Sequence, residues 1–237
     1  MKKNFFIFVM LVLYSILYSF EDGWETRNTF DGAKKCYQVL KSELSKNPDD
    51  YEVNWKFARI CHFYADNFVK SQEEKKEILN SGKRAAEKAT KINPDKPEGW
   101  YWFATCLGSW GEANGIMQSL GVVKPIMEAL NKGIKIDENF EGGSFFLVRG
   151  RVYHKAPPVI SVGDVKKSEV DYEKVLKLNP ENRTAYRFYA ELCIEQNRKD
   201  KAKELIEKGL SIPVNQSDIL TENKEISILK NLKEKIK

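Results

Sequence analysis

Four short phrases recur along the chain: ATKINP (Ala89–Pro94), GIKIDE (Gly133–Glu138), VLKLNP (Val175–Pro180) and GLSIPV (Gly209–Val214). Their first residues lie 44, 42 and 34 positions apart. A recurrence of this size marks a stacked array of helix pairs. One pair of about 34 residues cannot bury its apolar face alone and must pack that face on its neighbours. The two longer intervals read as the same period with insertions.

The last unit shows why such pairs close. In AYRFYAELCIEQNRKDKAKELIEKGLSIP, Tyr186, Tyr189, Ala190 and Cys193 fall at i, i+3, i+4 and i+7, one face of a first helix. After a short turn at Asn197–Arg198, Ala202, Ile206 and Gly209 line the inner face of a second helix. Antiparallel helices approach closely where Ala and Gly stand, and larger partners fill the space beside them. Earlier units repeat the pattern: Phe57, Ala58 and Cys61 with Gly82, Ala86 and Ala89; Trp100, Phe103, Ala104 and Leu107 with Ile126, Leu130 and Gly133; Phe146, Gly150 and Tyr153 with Ser168, Tyr172 and Val175. The expected fold is all-α, a tetratricopeptide-like α-α superhelix (solenoid) of about four helix pairs plus flanking helices. Units are placed near 51–94, 97–138, 140–180 and 182–213. A single helix precedes them, and a C-terminal capping helix over 218–237 carries Ile226, Leu229, Leu232 and Ile236 inward and lysines outward.

Three units depart from the regular interval. Ala190 to Ala202 is 12 positions, whereas Ala58 to Gly82 is 24, Ala104 to Ile126 is 22 and Gly150 to Ser168 is 18. The extra residues enter at one topological point, between the two helices of a unit, so they should emerge along one rim of the stack, where solenoids usually bind. The first, DNFVKSQEEKKEIL, reads as a helical extension; the second, GSWGEANGIMQSLGVV, is glycine-rich and carries Trp110 and Met117. The third, around YHKAPPVISVGD, reads first as a connector. Pro157 and Pro158 end the helix holding Tyr153, Gly163 permits a turn, Asp164 caps the next helix, and Val159 and Ile160 are expected to be buried.

The start, MKKNFFIFVMLVLYSILYSF, has a basic head, an apolar run and small residues at Ser15 and Ser19. Residues 1–19 therefore read as a secretory signal peptide cleaved after Ser19, or as an N-terminal membrane anchor, ahead of a helical repeat domain over 20–237. The expected location is exported, periplasmic or otherwise extracytoplasmic, with membrane anchoring as the alternative. Of the residues, 42% are hydrophobic and 31% charged, as in a folded, highly charged helical protein. The net charge of +5 is spread along mixed-sign helix faces without an aromatic-interleaved basic stripe, which argues against nucleic acid. Cys36, Cys61, Cys106 and Cys193 form no CxxC pair, and only two histidines, His62 and His154, are present, so neither a metal set nor a cofactor is expected. Cys61 and Cys106 fall in neighbouring first helices, whose axes stand roughly 8–10 Å apart, against an upper Cα separation of about 6.8 Å for a disulfide. All four read as core.

No nucleophile–base pair or carboxylate pair with a cleft is legible, and no enzymatic activity is expected. His154 beside Arg151 and Tyr153 could serve as a base or ligand, but a lone histidine at a helix end more often lies at the surface or caps. Aromatic residues are the better lead. Trp100, Trp102 and Trp110 cluster in the second unit, and Trp102 and Trp110 fall off the inner register, where they would line a groove or pore. With Met117, Arg151, Tyr153 and His154, they are the candidate ligand- or partner-binding residues.

The order GxxY (Gly150 to Tyr153), a proline-containing loop, GD (Gly163–Asp164) and then YEKVLKLNPENRTAYRFYAELCIEQNRKDKAKELIEKGL resembles the TatT family of tetratricopeptide proteins associated with TRAP transporters. The second unit, WYWFATCLGSWGEANGIMQSLGVVKPIMEALNKGIKIDE, carries the same likeness, which covers roughly Tyr51 to Pro213. The layout is also similar to eukaryotic regulators of microtubule dynamics. The TatT resemblance implies a non-enzymatic extracytoplasmic adaptor, open to homo-oligomer formation, that partners a periplasmic substrate-binding protein and helps deliver a small apolar ligand. The other reading of the same repeats is a membrane-tethered cytoplasmic scaffold for protein–protein interaction.

Overall fold

The computed structural model describes residues 23–236, and the segment 1–19 read as a signal or anchor lies outside them. Among the described residues no helix is long and apolar enough to cross a membrane. A leading helix α1 (Phe30–Lys46) is followed by four antiparallel pairs: α2 (Tyr51–Asn67) with α3 (Gln72–Ile92), α4 (Pro97–Asn114) with α6 (Val123–Ile136), α7 (Ser144–Lys155) with α8 (Val165–Leu178), and α9 (Arg183–Glu195) with α10 (Lys199–Ser211). A short helix α5 (Ile116–Gly121) interrupts the second pair, and α11 (Ile219–Lys235) lies on the last. Each second helix packs on its own partner and on the first helix of the next unit, the stacking of a tetratricopeptide solenoid.

Local chemistry sets the helix starts. Asp50, Ser71, Asp164 and Asn182 each accept a hydrogen bond from a backbone N–H three residues on. Such a cap stabilises by about 1 kcal/mol. Pro97 opens α4, where its missing N–H costs nothing. The core follows the sequence pattern: Ala58, Cys61, Ala86, Ala89, Ala104, Leu130, Tyr172, Val175, Ala190, Cys193, Ala202 and Ile206 are all buried. At Gly133 the absence of a side chain is a condition of assembly. A Cβ there would stand 2.1 Å from two ring carbons of Phe145, the aromatic residue that the next unit inserts into the gap.

The four cysteines are free and buried, and Cys106 Sγ donates to Ala58 O at 3.3 Å across the unit boundary. Burial pushes the Cys61 and Cys106 thiols up, which keeps them protonated and unreactive.

The three insertions follow one another along a single rim. Gln72 and Lys75 of the first share a crevice with Glu112 and Ala113, and Ile116 and Leu120 of the second share another with Ala156 and Pro157 of the third. The third insertion differs from expectation at its tip: Val159 and Ile160 are 93% and 72% exposed rather than buried. Its two feet are pinched together, with Asp164 N bonded to Tyr153 O at 2.9 Å and Ser161 N to Pro157 O at 3.0 Å. Gly163 serves that pinch by close approach, since a Cβ there would lie 1.9 Å from Ala156 O. The residues between the feet are thereby pushed outward.

Candidate functional site

The first helices of all four pairs, α2, α4, α7 and α9, line a shared half-open cavity of about 620 Å³. Such a volume falls in the range of ligand sites. Aromatic walls come from Trp24, Phe63, Tyr101, Trp102 and Phe188. Trp102 stands at 5.0 Å and 78° to Tyr101 and at 6.1 Å to the His62 ring. Among the described residues its indole N–H has no hydrogen-bond partner.

The far side of the cavity is bridged by the chain itself. Lys224 Nζ on α11 donates to Asp66 Oδ2 on α2 at 2.7 Å, joining positions 158 residues apart. Beside it, Arg27 Nη2 and Asn28 Nδ2 donate to Ser217 O at 2.8 and 3.1 Å, and Arg27 also pairs with Asp218 at 3.5 Å. These contacts form a clasp that bridges the two ends of the groove. It is polar and partly exposed, so each ion pair in it contributes about 0–1 kcal/mol.

Charged side chains continue the lining on the side of α7, α9 and α11. Arg151 Nη1 donates to Glu191 Oε2 at 2.6 Å, Glu191 also takes Arg187 Nη1 at 2.8 Å, and Arg187 pairs with buried Glu225 of α11. Both guanidinium carbons sit 4.2 Å from the centre of the Phe188 ring. Despite its burial, Arg151 and Arg187 hold the Glu191 carboxyl below the usual carboxylate range. Opposite, Trp24 takes Arg59 at 3.6 Å and Arg27 at 4.3 Å over its ring, contacts of the cation–π kind.

The candidate residues separate into two groups. Trp102 and Arg151 line the cavity together. Trp110 does not join them: it packs between the first two units with Lys83 Nζ 4.1 Å from its ring centre. Trp100 bonds Pro94 O at 2.9 Å, Met117 projects from α5 at 76% exposure, and Tyr153 packs in the core at the foot of the third insertion. His154 differs from a surface residue. Its side chain is 1% exposed, with Nε2 at 2.9 Å from Glu195 Oε2. Sequence reasoning missed Glu141, Lys224 and the 215–218 turn, whose charged and polar residues carry no periodic signal. Among the described residues no three His, Cys, Asp or Glu side chains gather as a metal-ligand set.

Burial pushes both histidines below their ordinary value of 6.5. At His62 Asp66 opposes this and Lys224 and Lys75 add to it; at His154 Glu195 opposes it and Lys155 and Arg151 add to it. A depressed folded-state value means that the neutral form is favoured by folding. That stability is fully present above the unfolded value near 6.5 and is lost as pH falls through the folded values. Tm should therefore be flat from pH 8 to 7 and decline between pH 6.5 and 5. His62→Gln should reduce that decline, as followed by circular dichroism.

A family model for regulator of microtubule dynamics protein 1-3 matches residues 22–151, and a tetratricopeptide-repeat model matches residues 160–220. The regulator of microtubule dynamics protein 1 of Bos taurus is 29% identical over 104 residues, 44% of this chain and 32% of that protein. The bovine protein 2 is 24% identical over 198 residues, 76% of this chain and 47% of that protein. The chain thus spans less than half the length of these curated relatives. Among solved structures, a thermophilic tetratricopeptide protein of Thermus thermophilus superposes with a TM-score of 0.62 at 17% identity, covering 84% of this chain and 92% of that one. MamA superposes at 0.51 and 15% identity, covering 85% and 94%. These likenesses show the fold.

Proposed function

Because this chain belongs to the regulator of microtubule dynamics protein 1-3 family and folds as a tetratricopeptide solenoid, we propose that it is a non-enzymatic scaffold holding an extended segment of a protein partner in its central cavity. The observation that carries this reading is the cavity itself: every unit presents its first helix to one half-open, aromatic-walled space. An extended segment offers both apolar and polar groups along its length, which matches walls that alternate rings with charges. A photo-crosslinking amino acid at position 102 or 148 should trap one partner in the source cells, and the same probe on the outer face at position 177 should trap none. Equal trapping from all three positions would overturn the cavity as the binding site.

For location, the basic and then apolar start supports export, with the partner a periplasmic substrate-binding protein of the TRAP type and a small apolar ligand handed between them. The family membership favours a second reading, a scaffold kept on the cytoplasmic side by its N-terminal segment, since the relatives' name ties them to microtubule dynamics. The mass of the mature protein separates the two. A chain beginning near Phe20 supports export. A chain retaining residues 1–19, together with co-sedimentation with polymerised tubulin, supports the tethered reading and rejects the first.

A further inference from the structure

The charged groups that line the cavity are not all paired with one another. Arg27, Arg151, Arg187 and Lys224 are each bonded to a carboxylate: Asp218, Glu191, Glu225 and Asp66 respectively. Arg59 is stacked on Trp24. Two cavity carboxylates, Glu112 and Glu141, form no ion pair and accept no side-chain hydrogen bond from the described residues. Glu112 stands at the mouth, where the crevices between the three insertions meet the cavity. Glu141 stands beside the aromatic wall: burial pushes its carboxyl up, Glu98 adds to that, Arg59 opposes it, and its charge reaches Tyr101.

The backbone presents Glu141 deliberately. Its φ of 43° lies in the left-handed region, followed by Gly142 and Gly143 at 68° and 89°. Glycine would occupy the first position without strain as it does the next two, so the carboxylate is carried at a conformational cost. A carboxylate outside any ion pair, lining the same cavity as Tyr101 and Trp102, is the chemistry that recognises an ammonium or guanidinium group, through charge and the ring quadrupole together.

Building on the scaffold reading, we propose that the cavity is specific for a basic partner segment, with Glu141, Tyr101 and Trp102 receiving a lysine or arginine side chain and Glu112 receiving a second one at the mouth. The chain's own net charge of +5 does not oppose this, because four of the cavity cations, Arg27, Arg151, Arg187 and Lys224, are each held by a carboxylate.

The test is calorimetric titration of the full chain with three capped pentapeptides: Ala-Lys-Lys-Lys-Ala, its glutamate counterpart and its glutamine counterpart. The basic peptide should bind at least tenfold tighter than either other. Glu141→Gln should weaken it about tenfold and Glu112→Gln less, with Tm unchanged in both. Glu141→Gly should raise Tm by relieving the backbone while also losing the binding, an opposition that a merely structural glutamate would not produce. Preference for the acidic or neutral peptide, or unaltered affinity in Glu141→Gln, would overturn the inference. If crosslinking from position 102 still trapped a partner, the scaffold reading would stand without it.

Discussion

Replacing Arg183 by methionine should destabilise the protein by about 3–5 kcal/mol, the loss expected when one member of a buried ion pair is removed and the other is left uncompensated. The side chain is 1% exposed and reaches four groups on two elements. Nε donates to Gly209 O at 3.0 Å, Nη2 serves Ile212 O and, at 3.4 Å, Pro213 O, and the guanidinium pairs with Glu222 of α11. Arg183 therefore satisfies the carbonyls at the end of α10 and ties α11 onto the stack with the same group. Methionine fills the volume and supplies no donor. For a chain of this size the loss corresponds to a fall in Tm on the order of 10 °C. Urea unfolding followed by circular dichroism measures it. The double variant Arg183→Met with Glu222→Met should recover at least half the loss, because no charge is then left buried alone. A single variant within about 0.5 kcal/mol of the parent would mean that water replaces the guanidinium and that Arg183 does not hold the end of the superhelix.

Gly133→Leu should cost about 3 kcal/mol or more, despite the roughly 1 kcal/mol that leucine gains over glycine in helix propensity. The added Cβ would overlap the Phe145 ring, which is fully buried and fixed on its other sides by Phe140 at 5.3 Å and Tyr101 at 5.6 Å. With no room for the ring to move, the helices must part. Gly121→Ala provides the contrast, since a Cβ there meets nothing within 4 Å, and it should be neutral or slightly stabilising. If the Phe145→Leu background absorbs part of the Gly133→Leu cost, the ring contact is confirmed as the cause; additive losses would place the cost elsewhere.

Gly133 lies where the sequence was most legible, whereas nothing in the sequence marked Arg183. Small residues at matching places, large partners beside them and prolines at unit ends report helix pairing directly, because close packing permits few alternatives at Gly133, Ala190 or Ala202. The insertion points were legible for the same reason, as breaks in a regular interval. The site was legible only in part. Trp102 fell off the inner register and lines the cavity, but Trp110, off the register too, was drawn into the core between units. Val159 and Ile160 were apolar and still stand in the open, since the pinch at their loop's feet, not their hydropathy, decides where they go. The clasp was not legible. Lys224 and Asp66 are ordinary surface charges in sequence, and what brings them together is the accumulated turn of four pairs.

That meeting of Lys224 and Asp66 limits how the architecture can grow. An open solenoid lengthens by adding units at no cost to those already present, whereas here the first and last parts of the stack touch through side chains, so an added unit would separate them. One more pair would push α11 away from α2 by about 8–10 Å, far beyond the reach of an ion pair. Duplication of a unit would thus carry Lys224 out of reach of Asp66 and open the clasp.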